Sequence, residues 1–192
     1  MDEDLATIKA ISNGDESALV VLTQRYREPI FRLAYRFVGN TTDARSLTEE
    51  TFAKVFFNAA RFKPRSSVKS WIFTIAANRC RDHLRREKRY RWMRSLSIGF
   101  SNDDEKQPDL DIADQSPNAA ESAEGRERIQ ELQKAIQSLP EKLRFPFVFC
   151  ALEDHTQDEA AVILNISRKS VESRVYRARR ELQALLSRQS AA

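Results

Sequence analysis

Apolar residues recur along most of this chain at spacings of three and four, the period that puts them on one side of a helix. The clearest run is Leu19, Leu22, Tyr26, Ile30, Leu33 and Phe37. Ahead of it, Asn13-Gly14-Asp15 breaks a short first helix, and Asp15 has the short carboxylate that caps the next one. Pro29 lies inside the stripe and predicts a kink or a break there. Gly39-Asn40-Thr41-Thr42 ends that helix, and a third from about 43 to 60 aligns Phe52, Val55, Phe56 and Ala59 on one stripe before Pro64 closes the segment. A fourth helix, about 68 to 91, is two-sided. Phe73, Ala76, Cys80 and Leu84 share one face, and the helical pitch gathers Asn78, Arg81, Arg85, Lys88 and Arg89 on the other.

The pattern stops between 100 and 125, where large apolar residues thin out, acidic ones accumulate and Pro108 and Pro117 interrupt. Such a stretch does not pack a core and reads as a linker. Beyond it, helices of roughly 126 to 138 and 141 to 152 lead to Thr156-Gln157-Asp158-Glu159, a capping box that starts a helix running to about Leu164. Asn165-Ile166-Ser167 turns the chain into a longer helix that buries Val171, Val175, Ala178 and Leu182 and exposes Arg168, Lys169, Ser173, Arg174, Arg177 and Arg180. Two short-linked helices, the first with small Ala160 and Ala161 for close packing, make a helix-turn-helix. The expected fold is all-α: two small helical domains, 1–95 and 126–192, joined by an acidic flexible linker at 96–125.

Composition supports this. Four glycines and six prolines in 192 residues are too few for a protein of many tight β-turns. No apolar run is long enough to cross a membrane, and the opening MDEDLATIKA is acidic where a secretory signal is basic and then apolar, so a cytoplasmic chain without membrane insertion is expected. Cys80 and Cys150 stand far apart with no neighbouring Cys or His pair, so no zinc site, disulfide framework or other metal or cofactor is expected. Both thiols fall on or near apolar helix faces, where a buried inert cysteine is usual. Glycine-rich phosphate loops and nucleophile elbows are missing, so the chain is not expected to be an enzyme.

Charge is segregated. Residues 61–91 carry 11 basic and 2 acidic groups, 101–125 carry 1 and 8, and 168–192 carry 7 and 2. Two basic patches flanking an acidic stretch fit a protein that touches a polyanion in two places. In a helix-turn-helix the second helix enters the major groove, and Arg168 and Lys169 in its first turn, where the helix dipole disfavours cations, make sense if phosphates approach. The 68–91 helix adds Phe62, Trp71, Phe73, Tyr90 and Trp92 to its cations, a mixture suited to single-stranded or distorted nucleic acid, although Trp71 and Phe73 read as core. His83 is expected to face solvent or phosphate, and His155 an exposed loop with no role.

Three segments in register carry a family resemblance: Asp43-Ala44-Arg45-Ser46-Leu47-Thr48-Glu49-Glu50-Thr51-Phe52, Ser70-Trp71-Ile72-Phe73-Thr74-Ile75-Ala76-Ala77-Asn78-Arg79, and Ser138-Leu139-Pro140-Glu141-Lys142-Leu143-Arg144 with the helix-turn-helix that follows. Over about residues 5 to 187 the chain resembles the extracytoplasmic-function (ECF) sigma factors of the sigma-70 family in bacteria. The resemblance implies a first domain that docks on core RNA polymerase and opens the minus-ten element, and a second that reads the minus-thirty-five duplex. Carried over by position, Leu47, Glu49 and Glu50 lie on the polymerase-docking surface. Asn78 captures a flipped minus-ten base, with Arg79, Arg81, Arg85, Lys88 and Arg89 along the melted strand. Arg168, Lys169, Ser173, Arg174, Tyr176, Arg177 and Arg180 meet the upstream duplex. An anti-sigma partner is also implied, against which the apolar cluster Trp92, Met93, Leu96, Ile98 and Phe100 packs unless it extends the N-terminal core. Ser46 and Glu49 depart from the family's usual acidic residue and Gln, and Glu172 stands where a base is common. The competing readings are a stand-alone helix-turn-helix regulator that does not bind polymerase, and a helical protein-binding adaptor without affinity for DNA.

Overall fold

A computed structural model describes residues 3–64, 66–97 and 123–189. Its helices are α1 Glu3–Ser12, α2 Glu16–Val38, α3 Thr41–Asn58, α4 Val68–Ser97, α5 Ala123–Ser138, α6 Glu141–Ala151, α7 Gln157–Leu164 and α8 Arg168–Gln189, with a 3₁₀ turn at Ala59–Arg61. No strand occurs among the described residues. The all-α expectation therefore holds, while most of the acidic stretch, with Ile98 and Phe100, lies outside them.

The helix ends follow side-chain chemistry. Asp15 Oδ1 accepts from the N–H groups of Ser17 and Ala18 at 2.9 and 3.3 Å and starts α2. Asn40 Oδ1 accepts from the Asp43 N–H at 2.8 Å and starts α3. The capping box is complete: Thr156 Oγ1 accepts from the Glu159 N–H at 3.2 Å, and Glu159 Oε2 accepts from the Thr156 N–H at 2.8 Å. Asn165, with φ at +52°, turns the chain from α7 into α8. At Pro29 the helix is not broken: α2 continues through it, with Tyr26, Ile30, Leu33, Ala34 and Phe37 buried along one stripe. Pro146 is accommodated inside α6 in the same way, between buried Phe145 and Phe147.

The helices of the N-terminal unit, α1 to α4, enclose a core of Ile8, Leu22, Ile30, Leu33, Leu47, Val55 and Ile72. Those of the C-terminal unit, α5 to α8, enclose Ile136, Leu139, Val148, Ile163, Val171 and Ala178. The two units also pack on each other, which no local pattern foretold. Phe37 at the end of α2 stacks on Phe145 of α6 with ring centroids 3.9 Å apart and planes at 22°. Phe73 of α4 meets Phe149 edge-on at 6.2 Å. Gln133 Nε2 donates to the carbonyls of Tyr35 and Arg36 at 3.1 and 3.2 Å. Arg144 donates to those of Phe37 at 3.3 Å and Leu139 at 3.0 Å, and also to Gln137 O. The carbonyls that a helix C-terminus leaves without intrahelical partners are thus satisfied by the other unit.

Gly39 is the pivot of this seam. Its φ of +79° closes α2 in the left-handed region, its N–H donates to Tyr35 O at 2.8 Å, and a Cβ there would run into the Gln137 side-chain amide. Gly39→Ala is expected to cost about 1–2 kcal/mol in urea unfolding, the backbone share being about 1 kcal/mol. Adding Gln137→Ala in the same chain should return the part owed to the collision, leaving the backbone share.

Candidate nucleic-acid and partner interfaces

Three surfaces and one seam carry the polar chemistry. On α4, Asn78, Arg85, Lys88 and Arg89 are exposed, and Asn78 Oδ1 accepts from Arg81 Nη1 at 3.0 Å. Arg79 is half-buried and pairs with Asp82 at 2.8 Å. Arg81 turns away from the open face. Its guanidinium lies over the Phe145 ring, 4.6 Å from the centroid, with Nε 3.8 Å from Glu141 Oε1. Burial pulls its pKa down, and Glu141 only partly opposes this. On the opposite side of α4, Phe73 is buried and Trp71 packs edge-on against Phe62 at 5.2 Å, both in the core as the pattern predicted. Cys80 is also buried there, its thiol pushed up to about 12, and burial raises Cys150 as well. Trp92 and Met93 are exposed and do not extend the N-terminal core.

On α8, Val171, Val175, Ala178 and Leu182 are buried, and Lys169, Ser173, Tyr176, Arg177 and Arg180 are exposed with Glu172 among them. Arg168 reaches back to Asp158 at 3.2 Å, which ties the two helices of the helix-turn-helix across their turn. Arg174 is half-buried. Together with Arg81, Glu141, Lys142, Phe145, Pro146 and Leu164 it lines a cleft of about 80 Å³. One arginine from each expected DNA-reading helix therefore faces the same small space.

On α3 the expected docking set is divided. Glu49 is exposed and Glu50 half-exposed, but Leu47 is a core residue at 2% exposure, so it is not part of any surface. Leu47 lies one turn from Ala44 and Thr51 and two from Val55, all buried, and that spacing assigns it inward. The apolar group that does reach solvent is Phe57, 77% exposed, beside a hollow lined by Glu50, Ala53, Lys54 and Arg79. The doublet Phe56-Phe57 was the available signal, since Phe57 lies about 100° around the helix from Phe56, off the Phe52, Val55, Phe56 and Ala59 stripe.

The structure corrects both histidine expectations, His155 at the seam and His83 within the N-terminal unit. His155 is buried, with its side chain 1% exposed, between Phe73 at 4.4 Å and Phe149 at 5.3 Å, and neither ring nitrogen has a hydrogen-bond partner. Burial first and Lys69 second hold its pKa down at about 4, against the opposing pull of Glu159 and Asp154. Two residues earlier, Glu153 has a side chain 2% exposed, with Oε1 2.9 Å from Arg36 Nε and Oε2 3.8 Å from Arg32 Nε. Burial raises its carboxyl although Arg36 opposes. His83 faces neither solvent nor an open groove. Its Nε2 is 3.5 Å from Asp43 Oδ2 and 3.8 Å from Glu87 Oε1.

The depressed His155 pKa has a fixed sign in stability. Between the ordinary histidine value of about 6.5 and about 4, the unfolded chain binds a proton that the folded chain refuses, so stability falls as pH drops through that window. Urea unfolding at pH 7 and pH 5 is expected to show that fall, and His155→Phe, which keeps a ring between Phe73 and Phe149, to reduce it.

Known proteins align with both halves of the frame. The family model for sigma-70 region 2 matches residues 22–90, and that for sigma-70 region 4 matches residues 129–182. The ECF RNA polymerase sigma factor SigE of Mycolicibacterium smegmatis is 31% identical over 192 residues, covering 98% of this chain and 70% of that protein. The ECF RNA polymerase sigma factor SigW of Bacillus subtilis is 26% identical over 179 residues, 93% of this chain and 94% of its own. Among solved structures, CnrH in complex with the cytosolic domain of CnrY superposes with a TM-score of 0.69 at 23% identity, over 96% of this chain and 97% of that one. The sigma factor RpoE of Bartonella quintana in complex with the anti-sigma factor NepR superposes at 0.65 and 23%, over 86% and 94%. Similarity to sigma factors along nearly the whole chain sets aside the stand-alone regulator and the adaptor.

Proposed function

The chain belongs to the extracytoplasmic-function sigma factors of the sigma-70 family, and we propose that it works by parting the two units that the structure holds together. It binds bacterial core RNA polymerase through α3, directs it to particular promoters and assists DNA opening; the chemistry of transcription stays with the polymerase, in the cytoplasm. Domain limits of 1–95 and 126–192 fit this division. In the docking surface Glu49 and Glu50 contribute charge and Phe57 the apolar anchor, in place of Leu47. On α4, Asn78 takes an extruded base of the minus-ten element through its amide, and Arg79, Arg81, Arg85, Lys88 and Arg89 follow the melted strand. Such contacts offset the few kcal/mol that unstacking each base step costs. On α8, Arg168, Lys169, Ser173, Arg174, Tyr176, Arg177 and Arg180 read and hold the minus-thirty-five duplex.

The observation that carries the reading is the common cleft of Arg81 and Arg174. The two promoter elements lie roughly 80 Å apart on B-form DNA at about 3.4 Å per base pair. Helices that share one cleft cannot span that length, so the arrangement seen is a closed form, and docking on polymerase selects an open one. An anti-sigma factor, the class of partner with which RpoE of Bartonella quintana is solved, holds the closed form or covers α3.

Size-exclusion chromatography with sigma-free core polymerase tests the docking surface. The wild-type chain is expected to co-elute at moderate salt, and Glu50→Lys combined with Phe57→Ala to abolish co-elution; binding unchanged in that variant removes α3 from the interface. Asn78→Ala should co-elute normally yet give at least tenfold fewer open complexes by permanganate footprinting, and normal opening would exclude Asn78 from base capture. Arg174→Ala or Arg177→Ala should weaken retention on promoter duplex bearing the upstream element.

A further inference from the structure

Asp43, in the first turn of α3, and His83 and Glu87, one helical turn apart on α4, bring three donor atoms within 4.8 Å of one another. The His83 side chain is 17% exposed, and its Nε2 is shielded from solvent without a hydrogen-bond partner. It nevertheless points between two carboxylate oxygens, at 3.5 and 3.8 Å. Ligand atoms held around one tetrahedral zinc at about 2.0–2.2 Å stand about 3.3–3.6 Å from each other. The separations found need to close by only a few tenths of an ångström on the histidine side.

The oxygens are also oriented from outside. Asn40 Nδ2 donates to Asp43 Oδ2 at 2.7 Å, and Arg91 Nη2 holds Glu87 Oε2 at 3.2 Å, leaving Glu87 Oε1 toward the histidine. Fixing ligand carboxylates through such partners is how proteins tune metal affinity. Asp43 Oδ2 has two lone pairs, so Asn40 occupies one and a second remains.

We propose that Asp43, His83 and Glu87 form a binding site for a divalent first-row transition cation, with Zn²⁺ the best match. The donor set decides the class. One imidazole and two carboxylates suit a borderline ion, whereas Mg²⁺ and Ca²⁺ take oxygens alone and soft thiolate chemistry is not present. Cys80 lies one turn before His83, but its thiol is buried in the core and is not among the three clustered donors. The site staples the first turn of α3 to the middle of α4, and so fixes the angle between these two helices. The three residues supply three ligands and leave a fourth position to water.

The alternative is that the three side chains lie together and hold no ion. The two are separated by equilibrium dialysis of the chelator-treated full-length chain against micromolar ZnCl₂, with zinc counted per chain. The site predicts one retained equivalent and a rise in Tm on adding zinc. His83→Ala and Glu87→Gln, checked for native helicity by far-UV circular dichroism, are expected to lose tenfold or more in affinity and the Tm response. Glu87 is half-exposed, so that variant remains informative if His83→Ala does not fold. Zinc that fails to be retained, or is retained equally by the folded variants, overturns the site.

Discussion

The carboxyl end of α2 is the point on which the structure turns. A helix C-terminus carries unpaired carbonyls and the negative end of the macrodipole, and burying it without donors is costly. Here it is buried, and the donors arrive from the other end of the chain: Gln133 to Tyr35 O and Arg36 O, Arg144 to Phe37 O. The Arg36 side chain meets Glu153, and Phe37 stacks on Phe145. Residues 97 to 117 positions apart in sequence therefore finish one helix. The energetic character of the set is mixed. The stacked rings supply apolar burial, while the Arg36–Glu153 pair contributes little net stability but fixes register, because separating a buried pair so that one charge stays unpaired costs about 3–5 kcal/mol. A seam built this way is specific in geometry without being permanent, since parting the units rehydrates both partners together.

That balance matters for a protein that must be stretched along DNA. Moving an equilibrium from about 99:1 closed to 99:1 open takes a differential affinity of roughly 5.5 kcal/mol. A single protein interface of ordinary size, whose total affinity at nanomolar strength is about 12 kcal/mol, can provide this and still bind. A closed form favoured by about 99:1 would thus keep α4 and α8 together in the free chain and still yield to the polymerase.

Local chemistry made much of this frame legible and tertiary placement did not. The Asp15 cap, the Gly39 stop, the Thr156–Glu159 capping box and the Asn165 turn are each encoded within four residues, so they could be read directly. The period of α8 named its buried side correctly down to Leu182. Period alone says which side of a helix is buried and not what buries it, and for that reason Arg81 and Arg174 looked equivalent to their exposed neighbours. Leu47 was misplaced because its role came from positional resemblance while its spacing with Ala44, Thr51 and Val55 already pointed inward. His155 lies in a short connection with no period at all, and only contact with Phe73 of another helix explains its burial. Pro29 and Pro146 lie inside continuous helices, so a proline alone does not mark a helix end here.

Arg81 links the closed and open forms most directly. In the closed form its charge is partly stripped of water, with an aromatic face and one carboxylate at 3.8 Å in exchange, and its lowered pKa records that the exchange is incomplete. In the open form proposed above, a phosphate would offer a stronger, bidentate partner at the same guanidinium, and DNA would gain more from releasing Arg81 than from recruiting a fully hydrated arginine. Salt acts unequally on the two sides of this competition. Counterions weaken phosphate contacts steeply, whereas the Phe37–Phe145 stack carries no charge for them to screen. Rising ionic strength therefore shifts the chain toward closure through loss of its DNA contacts, and the apolar half of the seam sets where that shift ends.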